Sequence, residues 1–250
     1  MHSSPYDQVD PQFGSLIIGH ARLEQLWTGG RWLEGPVYWP APGVLIFSDI
    51  PNNRMMRWSE GGSVTVFREP SMNANGNTLD CEGRLVTCEH AGRRVTRTEH
   101  DGSLTVLADE VDGKPFNSPN DVVVKGDGSI WFSDPDYGIK SDYEGDRSRS
   151  ALGSCDLYRI APDGKTVRRV RSDFVKPNGL AFSPDERTLY VSDTGKSDDP
   201  QGPPHIRSFS VKDDGTLEGG DGVAVVDPPA SDGFRMDEYG NLWTSAGDGV

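Results

Sequence analysis

Residues 118–134 read SPNDVVVKGDGSIWFSD. A polar pair, Asn120 and Asp121, precedes a short apolar run. A glycine-containing turn reverses the chain, and a second apolar run ends in the acid Asp134. Short β-branched and aromatic runs on both sides of such a turn predict a β-hairpin. We name this unit, a polar entrance residue followed by a hairpin and a closing acid, the cassette.

The cassette occurs five times along the chain. Acids close the first four copies at positions 49, 89, 134 and 193, whereas the fifth copy reaches Ser245 without one. Weaker strand patterns follow each of the first four hairpins. Four strands in every 40 to 58 residues or so is the period of a β-propeller blade. The entrance residues are Glu34, Asn75, Asn120, Asn178 and Asp232.

The repeat predicts an all-β fold, a six-bladed β-propeller whose last blade is incomplete in this chain. Only five cassettes are present, so a five-bladed ring is the alternative. Residues 1–20 are interpreted as an extended N-terminal arm and residues 21–250 as one propeller domain. Residues 21–28 are predicted to form an outer strand that closes the ring against the last blade, because propellers avoid exposed sheet edges.

The chain has 250 residues and a formal net charge of −14. That charge argues against nucleic acid or an anionic membrane as a partner. No apolar run approaches the roughly 20 residues that span a bilayer, and the N-terminus lacks the order of a signal peptide, so we expect a cytoplasmic protein. Cys81, Cys88 and Cys155 are expected to be reduced, although a disulfide between Cys81 and Cys88 is conceivable. The sequence leaves the oligomeric state open.

The five entrance residues are expected to converge, because the innermost strand of each propeller blade lines the central channel. They comprise two carboxylates and three amides, which are hard oxygen ligands that suit Ca²⁺ and serve Zn²⁺ poorly. Without a cation, Glu34 and Asp232 would repel each other and one of them would take up a proton. The alternative is that Asn-Gly and Asp-Gly pairs only start strands as turn residues.

Other features of the sequence carry weaker signals. The closing acids are expected to accept backbone N–H groups and so to brace loops. His90 and His100 lie near strand ends or turns and are interpreted as surface or packing histidines, with pocket lining as the alternative. The polar segment 140–150 is either a solvated loop or a lid over the channel mouth. No Gly-x-Ser-x-Gly elbow is present, which disfavours a serine hydrolase.

From about residue 21 onward, several motifs resemble the gluconolactonase / senescence marker protein 30 / regucalcin family. They occur in the family's order, which makes the resemblance specific. They are EGPV at 34–37, IFSDIPNNR at 46–54, NSPND at 117–121, SDP at 133–135, KPNGLAFS at 176–183 and DG at 232–233.

The resemblance implies a six-bladed propeller that holds a divalent cation of the Ca²⁺ type on its axis and opens sugar lactones by hydrolysis. The family's metal-ligand pattern falls on Glu34, Asn178 and Asp232. Asn120 corresponds to an asparagine that faces both metal and substrate, so it is a candidate for both roles, and Asp121 follows it as a pocket acid. Asn75 and Asn120 would orient substrate hydroxyls.

The predicted function is hydrolysis of a sugar lactone such as gluconolactone to its aldonic acid, with a bound divalent cation as cofactor. Asp232 is the first candidate for the base that activates water, and Asp121 is the second. One alternative is phosphotriester hydrolysis by a similar metal shell. Another is a propeller scaffold that binds calcium without catalysis.

Overall fold

The computed structural model describes residues 6–18, 22–227 and 231–250. These residues form antiparallel sheets with one short α-helix, α1 (Tyr137–Lys140), and three 3-10 helices at Pro11–Ser15, Ile50–Asn52 and Gly195–Ser197. In chain order the strands are β1 (Leu33–Trp39), β2 (Val44–Asp49), β3 (Arg54–Ser59), β4 (Thr65–Arg68), β5 (Ala74–Leu79), β6 (Leu85–Glu89), β7 (Arg94–Thr98), β8 (Leu104–Ala108), β9 (Glu110–Val111), β10 (Lys114–Pro115), β11 (Val122–Val124), β12 (Ile130–Asp134), β13 (Asp156–Ile160), β14 (Val167–Arg171), β15 (Pro177–Phe182), β16 (Thr188–Asp193), β17 (His205–Val211), β18 (Leu217–Val225), β19 (Phe234–Met236) and β20 (Leu242–Thr244).

The strands follow one another within each sheet in chain order. The first sheet is β1 to β4, the second β5 to β8, the third β11 to β14 and the fourth β15 to β18. The fifth sheet is the hairpin β19–β20, and β9 and β10 form a small separate ribbon. Each predicted cassette therefore forms the two innermost strands of one sheet, and the predicted hairpins are confirmed.

The third cassette shows why these residues form a hairpin. Val123 pairs with Trp131 across the two strands, and both side chains are buried. In the turn between them, Gly128 adopts a left-handed φ of 86°, which glycine tolerates without steric cost. The carboxylate of Asp127 accepts the backbone N–H of Ser129 at 2.8 Å and holds the turn.

The apolar core lies between consecutive sheets. Phe132 and Tyr158 of the third sheet, for example, pack in one buried cluster with Val86 of the second. Similar clusters join the first sheet to the second, the third to the fourth and the fourth to the fifth. Face-to-face packing in chain order gives a propeller-like arrangement, in which the entry ends of the inner strands are brought together.

Three of the closing acids brace the segments that lead into the inner strands, as expected. Each accepts at least one backbone N–H at 2.8 to 3.0 Å. The remaining closing acid, Glu89 of the second cassette, instead accepts hydrogen bonds from the guanidinium groups of Arg68 and Arg94. The backbone donors are Arg31 for Asp49, Asn117 and Ser118 for Asp134, and Val175 and Lys176 for Asp193.

The inner strands of consecutive sheets meet at a glycine that follows an entrance residue. The N–H of Gly76 donates to the carbonyl of Asn120 at 2.8 Å, and the N–H of Gly179 donates to the carbonyl of Asp232 at 2.9 Å. A Cβ atom on Gly179 would lie 2.2 Å from that carbonyl oxygen. Only glycine allows this approach, and the contact fixes the backbone of the entrance residue in the neighbouring sheet.

Gly179→Ala is therefore expected to lower the free energy of unfolding by about 2 kcal/mol or more, because the added methyl group must push the fifth sheet away. Chemical denaturation monitored by tryptophan fluorescence measures the change. Gly222→Ala is the matched control, since nothing lies within 4 Å of its Cβ position, and it should leave stability unchanged or slightly raised. Equal effects of the two substitutions would contradict the role of the glycine contact.

The N-terminal region differs from the predictions. Residues 22–28 form no strand. Trp27 contacts the first sheet through its ring, whose centroid lies 5.9 Å from that of Phe47, and its backbone pairs with no neighbouring strand. In the predicted extended arm, residues 11–15 form a 3-10 helix capped by Asp10, and Phe13 lies 6.0 Å from the ring of Trp243. Residues 1–5 and 19–21 lie outside the described part of the chain.

All three cysteines are free thiols, as predicted, and Cys88 is buried in the core between the second and third sheets. Among the described residues, no helix is long and apolar enough to cross a membrane.

Candidate functional site

All five entrance residues line one cavity of about 420 Å³, where the inner strands of the five sheets begin. Asn75, Asn120, Asp121 and Asn178 are buried in its wall, and Glu34 and Asp232 are partly buried. A cavity of this size holds a small molecule such as a sugar. The structure thus brings together every residue that the sequence singled out as a candidate for catalysis, substrate binding or metal binding.

Glu34 and Asp232 form a hydrogen-bonded pair of carboxyl groups, although they come from the first and the fifth sheets. Desolvation in the cavity wall, followed by the charge of Asp232, raises the pKa of Glu34 to about 9. Desolvation raises the pKa of Asp232 as well, while the hydrogen bonds from Glu34 and Asn178 oppose this shift. Glu34 therefore carries the proton that it donates to Asp232, as expected for like charges forced together without a cation.

The donor set of this pair fits a hard divalent cation. It offers two carboxyl groups with the amides of Asn178 and Asn120 beside them, and oxygen donors of this kind suit Ca²⁺. The described residues contain no group of three or more His, Cys, Asp and Glu side chains that could hold a metal. A cation at this place would consequently depend on amide oxygens in addition to Glu34 and Asp232.

Arg235, which sequence reasoning missed, lies on β19 and lines the same cavity. Its guanidinium lies 3.4 Å from a carboxylate oxygen of Asp121 and donates to the carbonyl of Asn77 at 3.3 Å. Asp121 also accepts the backbone N–H of Val122 at 2.9 Å. Both oxygens of Asp121 are therefore engaged within the protein. The sequence signal was an arginine within an otherwise apolar inner strand.

His90 was interpreted only as a packing or pocket-lining histidine, and it proves to be completely buried against a site residue. Its Nε2 lies 3.1 Å from the amide nitrogen of Asn75, and its Nδ1 lies 3.1 Å from the backbone carbonyl oxygen of Glu144. Burial lowers the pKa of His90 to about 4, so the ring is neutral at physiological pH. His100, by contrast, is exposed in the turn between β7 and β8 and is remote from strand entrances.

The segment 140–150, for which the sequence left a solvated loop and a lid as alternatives, contacts a residue behind the cavity wall. Most of it is exposed, but Gly145 is buried and the carbonyl of Glu144 contacts His90. Desolvation, followed by the charge of Asp232, raises the pKa of the Glu144 carboxyl. The segment is thus solvated on its outer side and packed against the site on its inner side.

Comparison with known proteins agrees with this geometry. The model of the SMP-30/gluconolactonase/LRE-like region matches residues 32–249, which is most of the chain. The chain belongs to the SMP-30/gluconolactonase/LRE-like family. The match includes all five cassettes and therefore all five entrance residues.

Three known members or neighbours of the family illustrate the similarity. A gluconolactonase from Zymomonas mobilis is 29% identical, over 97% of this chain and 72% of its own length. A solved gluconolactonase from Xanthomonas campestris is 40% identical, with a TM-score of 0.83 over 89% of this chain and 72% of that one. Regucalcin from Agrobacterium tumefaciens, a calcium-binding protein, has a TM-score of 0.65 at 21% identity over 88% of this chain and 68% of its own, and supports the fold alone.

Proposed function

We propose that this member of the SMP-30/gluconolactonase/LRE-like family is a lactonase that hydrolyses sugar lactones such as gluconolactone with the help of a divalent cation, Ca²⁺. The observation that carries the proposal is the pair Glu34–Asp232 in the wall of a sugar-sized cavity. The gluconolactonases from Zymomonas mobilis and Xanthomonas campestris support the substrate class.

Glu34, Asn178 and Asp232 would hold the cation, with Asn120 as a further oxygen donor. When bound, a divalent cation supplies a Lewis acid that polarises the lactone carbonyl. Without it, the two carboxyl groups share a proton, as described above. A bound cation would relieve the repulsion between Glu34 and Asp232 and would activate the substrate at the same place.

Asp232 is proposed as the base that takes a proton from the attacking water. A carboxylate positioned beside the attacking water can accept its proton as a general base. Asp121 is the second candidate, weakened by its contact with Arg235. Asn75 and Asn120 line the cavity and would bind substrate hydroxyls.

We also propose that the described part of residues 21–250 belongs to one six-bladed propeller domain. Two features of the described residues support it. The inner strands succeed one another around the cavity in chain order, and an apolar groove of about 350 Å³ runs along the first sheet, lined by side chains that include Trp27, Phe47 and Trp58.

Hydrolysis of gluconolactone releases an acid, so a pH-indicator assay measures the proposed activity directly. We expect turnover that a chelator lowers at least about 100-fold and that added Ca²⁺ restores, because removal of the cation takes away the Lewis acid and leaves Glu34 and Asp232 sharing a proton. An organophosphate triester should be hydrolysed far more slowly. Tight Ca²⁺ binding with no lactone turnover would instead favour a calcium-binding scaffold, and faster turnover of the triester would favour a phosphotriesterase.

A further inference from the structure

His90 lies behind the cavity wall, between the inner strand of the second sheet and the segment 140–150. His90 is completely buried, and a Cβ atom added to Gly138 would lie only 2.5 Å from the Cβ of His90. The ring is therefore held tightly from the side of α1. Its two nitrogens are both engaged, one by Asn75 of the site and one by the backbone of Glu144.

These two contacts determine the position of the ring proton. The backbone carbonyl of Glu144 can only accept a hydrogen bond, so the proton must be on Nδ1 of His90. In a neutral imidazole the other nitrogen, Nε2, is then an acceptor. The amide group of Asn75 must consequently turn its NH₂ toward His90, because its oxygen would face a lone pair.

We propose that His90 is a positioning residue that fixes the amide of Asn75 with its oxygen toward the cavity, where that oxygen accepts a hydrogen bond from a substrate hydroxyl. Asn75 lines the cavity and is buried, so its amide has no freedom to rotate unless the contact with His90 is broken. An asparagine free to turn would offer either a donor or an acceptor, whereas this one offers an acceptor. The site would thus select a lactone with a hydroxyl group at this position.

The same ring connects the segment 140–150 to the site. The carbonyl of Glu144 accepts a hydrogen bond from Nδ1–H, and Nε2 accepts one from the amide of Asn75. The position of the loop therefore determines the tautomer of His90, and that tautomer orients Asn75. If the loop moved away from His90, Nδ1–H would lose its acceptor, and protonation at Nδ1 would no longer be favoured. The inference rests on the proposed lactonase function for its substrate, but the geometry of the ring and the amide is independent of it.

The first test uses the wild-type protein and no substrate. In protein labelled with ¹⁵N at histidine, NMR is expected to show His90 as a neutral ring protonated at Nδ1 across the range from pH 6 to 8. A ring protonated at Nε2, or a charged ring, would overturn the proposal whether or not the protein hydrolyses lactones.

The second test compares two variants that separate the contacts of the ring. His90→Gln places an oxygen where Nε2 stood and can still accept from Asn75, whereas His90→Asn retains a donor near the Nδ1 position and loses that acceptor. Both side chains are smaller than that of histidine, so neither adds volume against Gly138. Thermal unfolding of each variant controls for a general loss of structure.

The readout is kcat/KM for gluconolactone and for its single-deoxy analogues. In the wild type, the analogue that lacks the hydroxyl bound by Asn75 should react about fivefold or more slowly, the value of one hydrogen bond. We expect His90→Asn to lose this discrimination and His90→Gln to keep it. Identical discrimination by the wild type and His90→Asn for every analogue would overturn the proposal. An absence of lactone turnover in the wild type would reject the proposed function instead, and the NMR result would then decide.

Discussion

Asp232→Asn is expected to lower kcat/KM for gluconolactone at least about 1000-fold. The substitution retains the shape of the side chain, but it removes the base that takes the proton from water and one charged ligand of the proposed cation. The hydrogen bond from the N–H of Gly179 to the carbonyl of residue 232 involves only the backbone, so the fold should remain.

The measurement is the pH-indicator assay at saturating Ca²⁺, with Asp221→Asn on the exposed strand β18 as the control. That control removes one negative charge from the same acidic protein and should react at the wild-type rate. Near-normal turnover by Asp232→Asn would transfer the role of the base to Asp121, and Asp121→Asn would then be the inactive variant.

Glu34→Gln is expected to remove about half or more of the stabilisation that Ca²⁺ gives to the folded protein. A cation present at 100 times its Kd stabilises a protein by about 2.7 kcal/mol, and loss of a charged ligand weakens binding by about tenfold to 100-fold. In the absence of a cation the variant should be as stable as the wild type at pH 7, because glutamine resembles the protonated form that Glu34 adopts beside Asp232.

Thermal unfolding with and without Ca²⁺ measures both effects and requires no enzymatic activity. Glu60→Gln, in the exposed turn between β3 and β4, is the matched control and should respond to Ca²⁺ as the wild type does. An unchanged rise of the Tm with Ca²⁺ in Glu34→Gln would show that the cation binds elsewhere, and it would remove the central support for a cation at the Glu34–Asp232 pair.

The hairpins and the convergence of the entrance residues could be predicted from the sequence because they depend on local patterns. Short apolar runs such as the one at 130–134 indicate buried strands, and glycine turns indicate where the chain reverses. Their recurrence then implies a common geometry around one axis. Glu34 and Asp232 could therefore be predicted to lie near each other from the sequence alone.

His90 and Arg235 could not be assigned in the same way, because their partners are distant in sequence. The ring of His90 contacts the backbone of Glu144 in a polar loop. The guanidinium of Arg235 contacts Asp121 and Asn77, which belong to other sheets. No local pattern reports such contacts. The prediction of a strand at 21–28 was wrong although it rested on a local pattern. The apolar residues there include Trp27, whose ring packs against Phe47 without strand pairing.

The hydrogen bond between Glu34 and Asp232 joins the first sheet to the fifth, so it closes a loop that contains most of the chain. Closing so long a loop costs conformational entropy, and contacts so distant in sequence form slowly during folding. A cation bound by both residues would act as a reversible cross-link between the two ends of the ring. Its affinity would then depend on every interface between them, and a packing defect in the second sheet would weaken cation binding without touching a ligand.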